Sequence, residues 1–281
     1  ELLPGLNALF GLEYEKYDDE HEVIYESESS ERSFEEEVKL SGFGSAPVKD
    51  EGAGITYDSA QEAFTARYNH ETIAMGFAIT EEAMEDNLYD SLSARYTKAL
   101  ARAMAYTKQV KAVNPLNNGF TNSFQSGDGV NLFTASGDGV TGGDGHPRVD
   151  GGKNDNRPST AADLNETSLE AAIVTIAALT DERGLLIAAR PKGLIVPPAG
   201  MFTAKRLLDS EQRVATADND INAVRSMGIV PEGFSVNHYL TDSDSFYITT
   251  DIPNSFKLFE RTPLELSLIH ISEPTRLGMI S

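Results

Sequence analysis

The stretch from Thr80 to Pro115, TEEAMEDNLYDSLSARYTKALARAMAYTKQVKAVNP, decides the fold. Thr80 stands where an N-cap belongs, because its hydroxyl can accept from a free backbone N–H of the first turn. Glu81 and Glu82 complement the positive end of the helix dipole. Met84, Leu88, Leu92, Tyr96, Ala99, Ala103, Tyr106 and Val110 recur every three or four residues. That spacing predicts one apolar stripe along a helix, turned toward a sheet. Proline lacks an N–H and disfavours the helical conformation in the residue before it, so Asn114-Pro115 is expected to end the helix. Residues 81–113 would form a rod of roughly 50 Å at 1.5 Å per residue, long for an ordinary globular domain and suited to a spine.

Working toward the start of the chain, Phe64-Thr-Ala-Arg-Tyr68 and Ile73-Ala-Met-Gly-Phe-Ala-Ile79 alternate and are rich in strand formers. With Glu22-Val-Ile-Tyr25 and Val38-Lys-Leu40 upstream, residues 33–80 read as a long twisted hairpin with little core of its own, which needs neighbours to be stable. Before it the chain is acidic. Glu13, Glu15, Asp18, Asp19, Glu20, Glu22, Glu26, Glu28, Glu31, Glu35, Glu36 and Glu37 face only Lys16 and Arg32. One reading is a solvated strand or flexible arm; the other is an arm that pairs with basic neighbours in an assembly.

Beyond the helix, residues 117–163 are loop-like and dense in Gly, Asp and Asn, with Ser126-Gly-Asp-Gly-Val130 echoed as Ser136-Gly-Asp-Gly-Val140. Thr167-Ser-Leu-Glu170 has capping-box spacing and opens a helix through Leu169, Ile173, Ile176 and Leu179 to Gly184. Leu194-Ile-Val196 before Pro197-Pro198 reads as a buried strand, and 199–210 as a further helix. Phe234–Leu240 and Phe246–Thr249 are expected to pair as a hairpin. The second half is therefore mixed, with helices on a sheet.

Composition bounds the function. The 281 residues are 40% hydrophobic, enough for real cores. No run of about 18 apolar residues exists, so no membrane association is expected, and the first residues lack a secretory signal. Cysteine is absent, which removes thiolate ligands, Cys nucleophiles and disulfides, and fits a reducing cytoplasm. The net charge is −21 with no Lys/Arg run, unlike a free-standing nucleic-acid binder.

Chemical motifs fail on spacing. His70-Glu71 and His21-Glu22 begin like a zinc-protease motif, but Ala74 and Tyr25 stand where the second His would be. Neither a phosphate-cradling glycine loop nor a Gly-x-Ser-x-Gly elbow occurs. His21, His70, His146, His238 and His270 are scattered, and each is expected to be exposed or structurally satisfied. Pairs among 44 acidic residues arise by chance and do not specify a glycosidase. Asp128, Asp138 and Asp144 could offer oxygens to calcium but lack EF-hand spacing, and turn-making accounts for them. No catalytic, cofactor-binding or metal-binding residue is therefore expected, and no cofactor.

Several of these pieces, in this order, resemble the HK97-like major capsid proteins of tailed bacteriophages. They are the Thr80–Val113 helix, Gly129-Val-Asn-Leu-Phe133 leading to His146-Pro147, and Ala162-Asp-Leu-Asn-Glu-Thr-Ser-Leu-Glu170. Pro191-Lys-Gly-Leu-Ile-Val-Pro-Pro198, with Ala204 and Leu207-Leu208, completes the set. The resemblance covers nearly all of 1–265 and implies an α+β, HK97-like capsid fold. Its parts would be an N-terminal arm at 1–32, an extended E-loop hairpin at 33–70, and a peripheral domain at 71–164 holding the spine helix 81–113. A mixed α/β axial domain at 165–245 and a return to the peripheral domain at 246–265 would follow. The implied function is a major head protein that self-assembles through pentamers and hexamers into an icosahedral shell around double-stranded genomic DNA. Such a subunit belongs to the virion and is assembled in the bacterial host cytoplasm, with scaffold, portal and decoration proteins as further partners. The Gly/Asp-rich stretch 134–145 is longer than the family's usual loop. Lys49 lies in the E-loop without an identifiable Asn partner, so crosslinking chemistry is not carried over.

Leu266–Arg276, LSLIHISEPTR, matches the in-frame translation of a transposon-end adapter from sequencing libraries. Residues 266–281 are therefore expected to be foreign, with the native sequence truncated near Glu265. Two other functions stay open: an encapsulin-like nanocompartment shell in the same fold, and a soluble hydrolase with an acidic cleft.

Overall fold

The computed structural model describes residues 2–79, 89–137, 139–140, 143–213, 220–253 and 256–267. They divide into two compact units: the described residues up to 18, between 72 and 107, and from 262 onward form the first, and those within 19–71 and 108–261 form the second.

The first unit contains helix α1 (Leu2–Tyr14) and the leading part of helix α2 (Tyr89–Asn118). Phe10, Leu100 and Ala101 are its buried cluster, with Tyr14, Met104 and Leu266 packed against it. α1 lies ahead of the acidic residues, where the apolar run Leu2-Leu-Pro-Gly-Leu-Asn-Ala-Leu-Phe10 buries Phe10, while the acidic Glu26–Ser29 is a strand exposed at every position. Residues 71–79 form no strand, because an extended segment becomes one only by pairing, and none pairs with it among the described residues. Phe77 instead meets Tyr96, ring centroids 5.6 Å apart.

α2 departs from its sequence reading in two ways. Its buried seam is Ser93, Thr97, Leu100, Ala101, Ala105, Gln109, Ala112, Val113 and Leu116. Of the expected stripe, Tyr96 (45%), Tyr106 (59%) and Val110 (38%) are exposed; Ala99 is exposed too, while Leu92 and Ala103 are half-buried. Small side chains let neighbouring backbone approach closely, so the seam favours Ser, Thr and Ala over the larger residues a hydrophobic pattern selects. Thr80, Met84 and Leu88 lie outside the described residues. Second, α2 does not stop at Asn114 but carries Pro115 inside it and ends at Asn118. The proline forgoes one backbone bond in the last turn, while burial of Val113 and Leu116 against Ile24, Ile195 and Leu240 holds that turn in place. The orphan carbonyl of Leu116 accepts from the Tyr247 hydroxyl at 2.9 Å. Burial pushes that phenol up to about 12, keeping it a donor. Gly119 follows because a Cβ there would lie 2.6 Å from the Pro115 carbonyl and 2.7 Å from the Phe133 ring.

In the second unit β6 (Pro191–Val196) is the central strand of three, parallel to β7 (Phe234–Val236) and antiparallel to β8 (Tyr247–Thr250). The expected hairpin between the last two is thus wrong, because both pair with β6 instead. β6 is buried from Gly193 to Val196, so its donors and acceptors on both edges need strand partners. Leu194 and Val196 join Leu169, Ala204, Leu208 and Val224 on one face, from helices α3 (Glu166–Ala177), α4 (Met201–Asp209) and α5 (Ala223–Met227). Ile195 points the other way, toward Val113 and Leu116. The α3 cap is Asn165, not Thr167: its side chain accepts from Ser168 N at 2.9 Å while Ser168 Oγ accepts from Asn165 N at 3.0 Å. α3 also stops at Ala177 rather than Gly184. There the chain turns back as a small hairpin in which Gly184 takes a positive φ of 80°.

The remaining strands form three separate pairs. β1 (Glu26–Ser29) runs parallel to β9 (Lys257–Glu260), and β2 (Phe34–Leu40) pairs antiparallel with β3 (Glu62–Asn69). β4 (His146–Pro147) meets β5 (Lys153–Asn154) within the glycine-rich segment.

Candidate assembly interface

Each histidine among the described residues has a polar partner. His21 is buried, with Nδ1 3.1 Å from Gln109 Nε2. Burial, reinforced by Lys108, lowers its pKa, opposed in part by Asp19, so the neutral ring accepts from Gln109. His70 Nε2 lies 3.0 Å from Ser30 Oγ, but that hydroxyl donates to Glu35 at 2.7 Å. Ser30 therefore has no proton to give the ring, and the pair is not a nucleophile and its base. His238 is held by Glu20 at 2.7 Å, and His270 lies outside the described residues.

His146 Nδ1 is 2.7 Å from Asp128 Oδ2, and its Nε2 is 3.2 Å from the Leu132 carbonyl. Burial opposes ionisation of Asp128, yet the bonds from His146 and Ser126 outweigh it and hold the carboxyl below its usual range. Asp144 is bonded to Lys153, and Asp138 lies outside the described residues. The two described aspartates of the calcium candidate are thus each spent on a side-chain donor. Among the described residues no group of three or more His, Cys, Asp or Glu could hold a metal.

What stands out instead is surface prepared for contact. All of residues 45–62 are exposed, including Val48 (95%), Ile55 and Tyr57 (90%), and Leu40 and Phe43 beside them are exposed too. Lys49 shares this exposure. Large apolar groups in water carry an unfavourable free energy that a partner surface removes. The loop is not loose at its roots. Arg183 donates to Asp58 at 2.7 Å and Gly44 N donates to the same carboxylate at 2.8 Å, which together hold it below its ordinary pKa, the Gly44 bond first. Lys39 bridges to Glu182 at 2.5 Å. At the hairpin base Lys257 lies between Glu28 and Glu37, which raise its pKa, the Glu37 bond most. Tyr68 packs on Phe259 at 5.1 Å, and the Arg67 guanidinium covers Phe34 at 3.9 Å.

The sequence reading missed the Asp58–Arg183 tether and the Lys257 clamp. Their partners are far apart in the chain, and no local spacing announces them.

No curated protein matches the chain. Among solved structures, the capsid of bacteriophage JBD30, decorated with minor capsid protein trimers, matches with a TM-score of 0.55 at 14% identity. The match spans 78% of this chain and 89% of that one. At that identity the likeness establishes the fold, α+β and of the HK97-like capsid type. A family described as phage capsid protein matches residues 63–275, taking in the hairpin's return strand, all of α2 and the β6 sheet, and reaching past Leu266. That family is structural, so the chain is a shell protein and not an enzyme. The protein belongs to the phage capsid protein family.

Proposed function

We propose that this chain is the major head subunit, which self-assembles through pentamers and hexamers into an icosahedral shell around double-stranded phage DNA. Assembly takes place in the bacterial host cytoplasm, with scaffold, portal and decoration proteins as further partners. The observation that carries the reading is the family match across 63–275. The exposed apolar loop supports it, because such a loop is costly in an isolated chain and useful when copies surround it.

Within this reading residues 1–32 serve as the N-terminal arm, 33–70 as the E-loop and 71–164, with the spine, as the peripheral domain. Residues 165–245 then form the axial domain, and 246–265 return to the peripheral domain. DNA is enclosed without sequence-specific contacts, consistent with the net charge of −21. Neither the nanocompartment nor the hydrolase reading has an observation in its favour. Negative-stain electron microscopy of the purified protein tests the proposal: closed shells or capsomer rings are expected. Monodisperse single subunits at every concentration and salt would overturn it.

A further inference from the structure

The spine carries a cationic face that linear reading hides. Arg95, Lys98 and Arg102 are three and four residues apart on α2, so they share one side of the helix over about 10 Å, and all three are exposed. None of them forms an ion pair among the described residues. By contrast Lys16, Lys39, Arg67, Lys111, Arg183 and Arg213 each lie within 3.6 Å of a carboxylate oxygen. Lys98 acts on Glu13 at longer range, but Glu13 is already bonded to Lys16 at 2.7 Å. A shallow cavity of about 460 Å³ opens beside Lys98 and Arg102, with Tyr17, Ala99 and Tyr106 in its lining. The face therefore mixes unpaired cations with exposed aromatic and apolar groups.

In a chain of net charge −21, the surface that such a face fits best is another copy's acidic edge. Glu22, Glu26 and Glu31 are exposed and form no ion pair among the described residues, and β1 is exposed at each of its four positions. We propose that the Arg95–Lys98–Arg102 face of α2 receives the Glu22–Glu31 edge of a second copy of this chain. The inference rests on the shell reading, which supplies the second copy, and it names the partner of the acidic arm. The contact joins two different patches, so it is heterologous: repeated from copy to copy, it closes a ring or extends an array. It also offsets the repulsion between like-charged subunits where they approach. Duplex DNA is the competing polyanion. Glu13 beside Lys98, and the exposed Tyr96 and Tyr106 beside the cations, favour a protein surface over a phosphate backbone.

The absence of cysteine makes the test unambiguous, because one engineered thiol per chain can report only contacts between copies. Full-length Glu26→Cys and Lys98→Cys proteins are mixed under mild oxidation and resolved by non-reducing electrophoresis. Ser243→Cys, at another exposed position, replaces Lys98→Cys in the control. The 26/98 mixture should give about tenfold more heterodimer than 26/243, as expected for apposed sites at high effective concentration. Adding Arg95→Glu and Arg102→Glu to the Lys98→Cys chain should remove the excess. Equal yields, or an excess that survives charge reversal, overturn the proposal. It also fails if 26/98 does not exceed the control while the unvaried chain binds a duplex oligonucleotide through Arg95 and Arg102. Shell formation, scored separately by microscopy, decides the wider reading without deciding this contact.

Discussion

The Lys257 ammonium lies 3.1 Å from the Glu28 carboxylate and also bonds Glu37, so one cation on β9 ties together β1 and β2. Only 9% of its side chain is exposed. Lys257→Met keeps the stem but leaves two carboxylates without their shared counter-charge. This variant should melt at a lower temperature and lose protection of the hairpin base to limited proteolysis, whereas Lys257→Arg should behave closer to the parent. Indistinguishable melting and cleavage of all three would show that the clamp is incidental.

The seam of α2 makes a prediction by position. Ala101 is fully buried, and Ala99, two residues away, is exposed. Ala101→Leu should destabilise the subunit by about 1–3 kcal/mol through overpacking. Ala99→Leu should stay within about 0.5 kcal/mol, as surface substitutions do. Denaturant melts of the two proteins read this directly, and equal losses would place the seam elsewhere.

Acid should weaken the fold first at His21. Burial lowers its pKa below the ordinary 6.5, so the unfolded chain takes up a proton more readily than the folded one. Stability is therefore full above about pH 6.5 and falls as the pH drops below it. His21→Gln should flatten the fall in melting temperature between about pH 7 and pH 5. A parent whose melting temperature is constant over that range would contradict the assignment. Asp58 and Asp128, both held below their usual range, contribute at lower pH, where their protonation removes stability below about 4.

Releasing the loop tests its tether. Arg183→Ala removes the donor that holds Asp58. Amide hydrogens near Gly44 and Ser59, which donate to that carboxylate, should then exchange faster while those of β6 are unaffected. Deleting residues 42–60 should leave a folded, soluble subunit that forms no particles. Intact shells from the deleted protein would remove the loop from the assembly mechanism.

The legible parts of the sequence were those whose signal is local. Leu194-Ile-Val196 announced a buried strand, and the spine was visible as a long helical period. Its facing was not legible, because a seam of Ser93, Thr97 and Ala101 scores as polar or neutral although all three are buried. Pro115 misled for a related reason: tertiary burial of Leu116 outweighs one missing backbone bond. The hairpin expected across Asp242–Asp244 does not form because proximity in sequence does not decide pairing: the buried β6 takes both strands as partners. The Arg95–Lys98–Arg102 face escaped notice because helical spacing, not adjacency, gathers its charges.

The parallel pairing of β1 with β9 also governs when the subunit can exist. Glu37 and Lys257 are separated by 220 positions, and Glu26 is in register with Lys257 itself. A ribosome releases the acidic segment and the whole hairpin long before Lys257 emerges. Until then Glu28 and Glu37 lack their cation and β1 lacks its only strand partner among the described residues. Contacts of such long range are closed late, after the local helices have formed. A nascent chain thus carries an unfinished hairpin base, with the β1 edge unpaired, until residues 257–260 emerge.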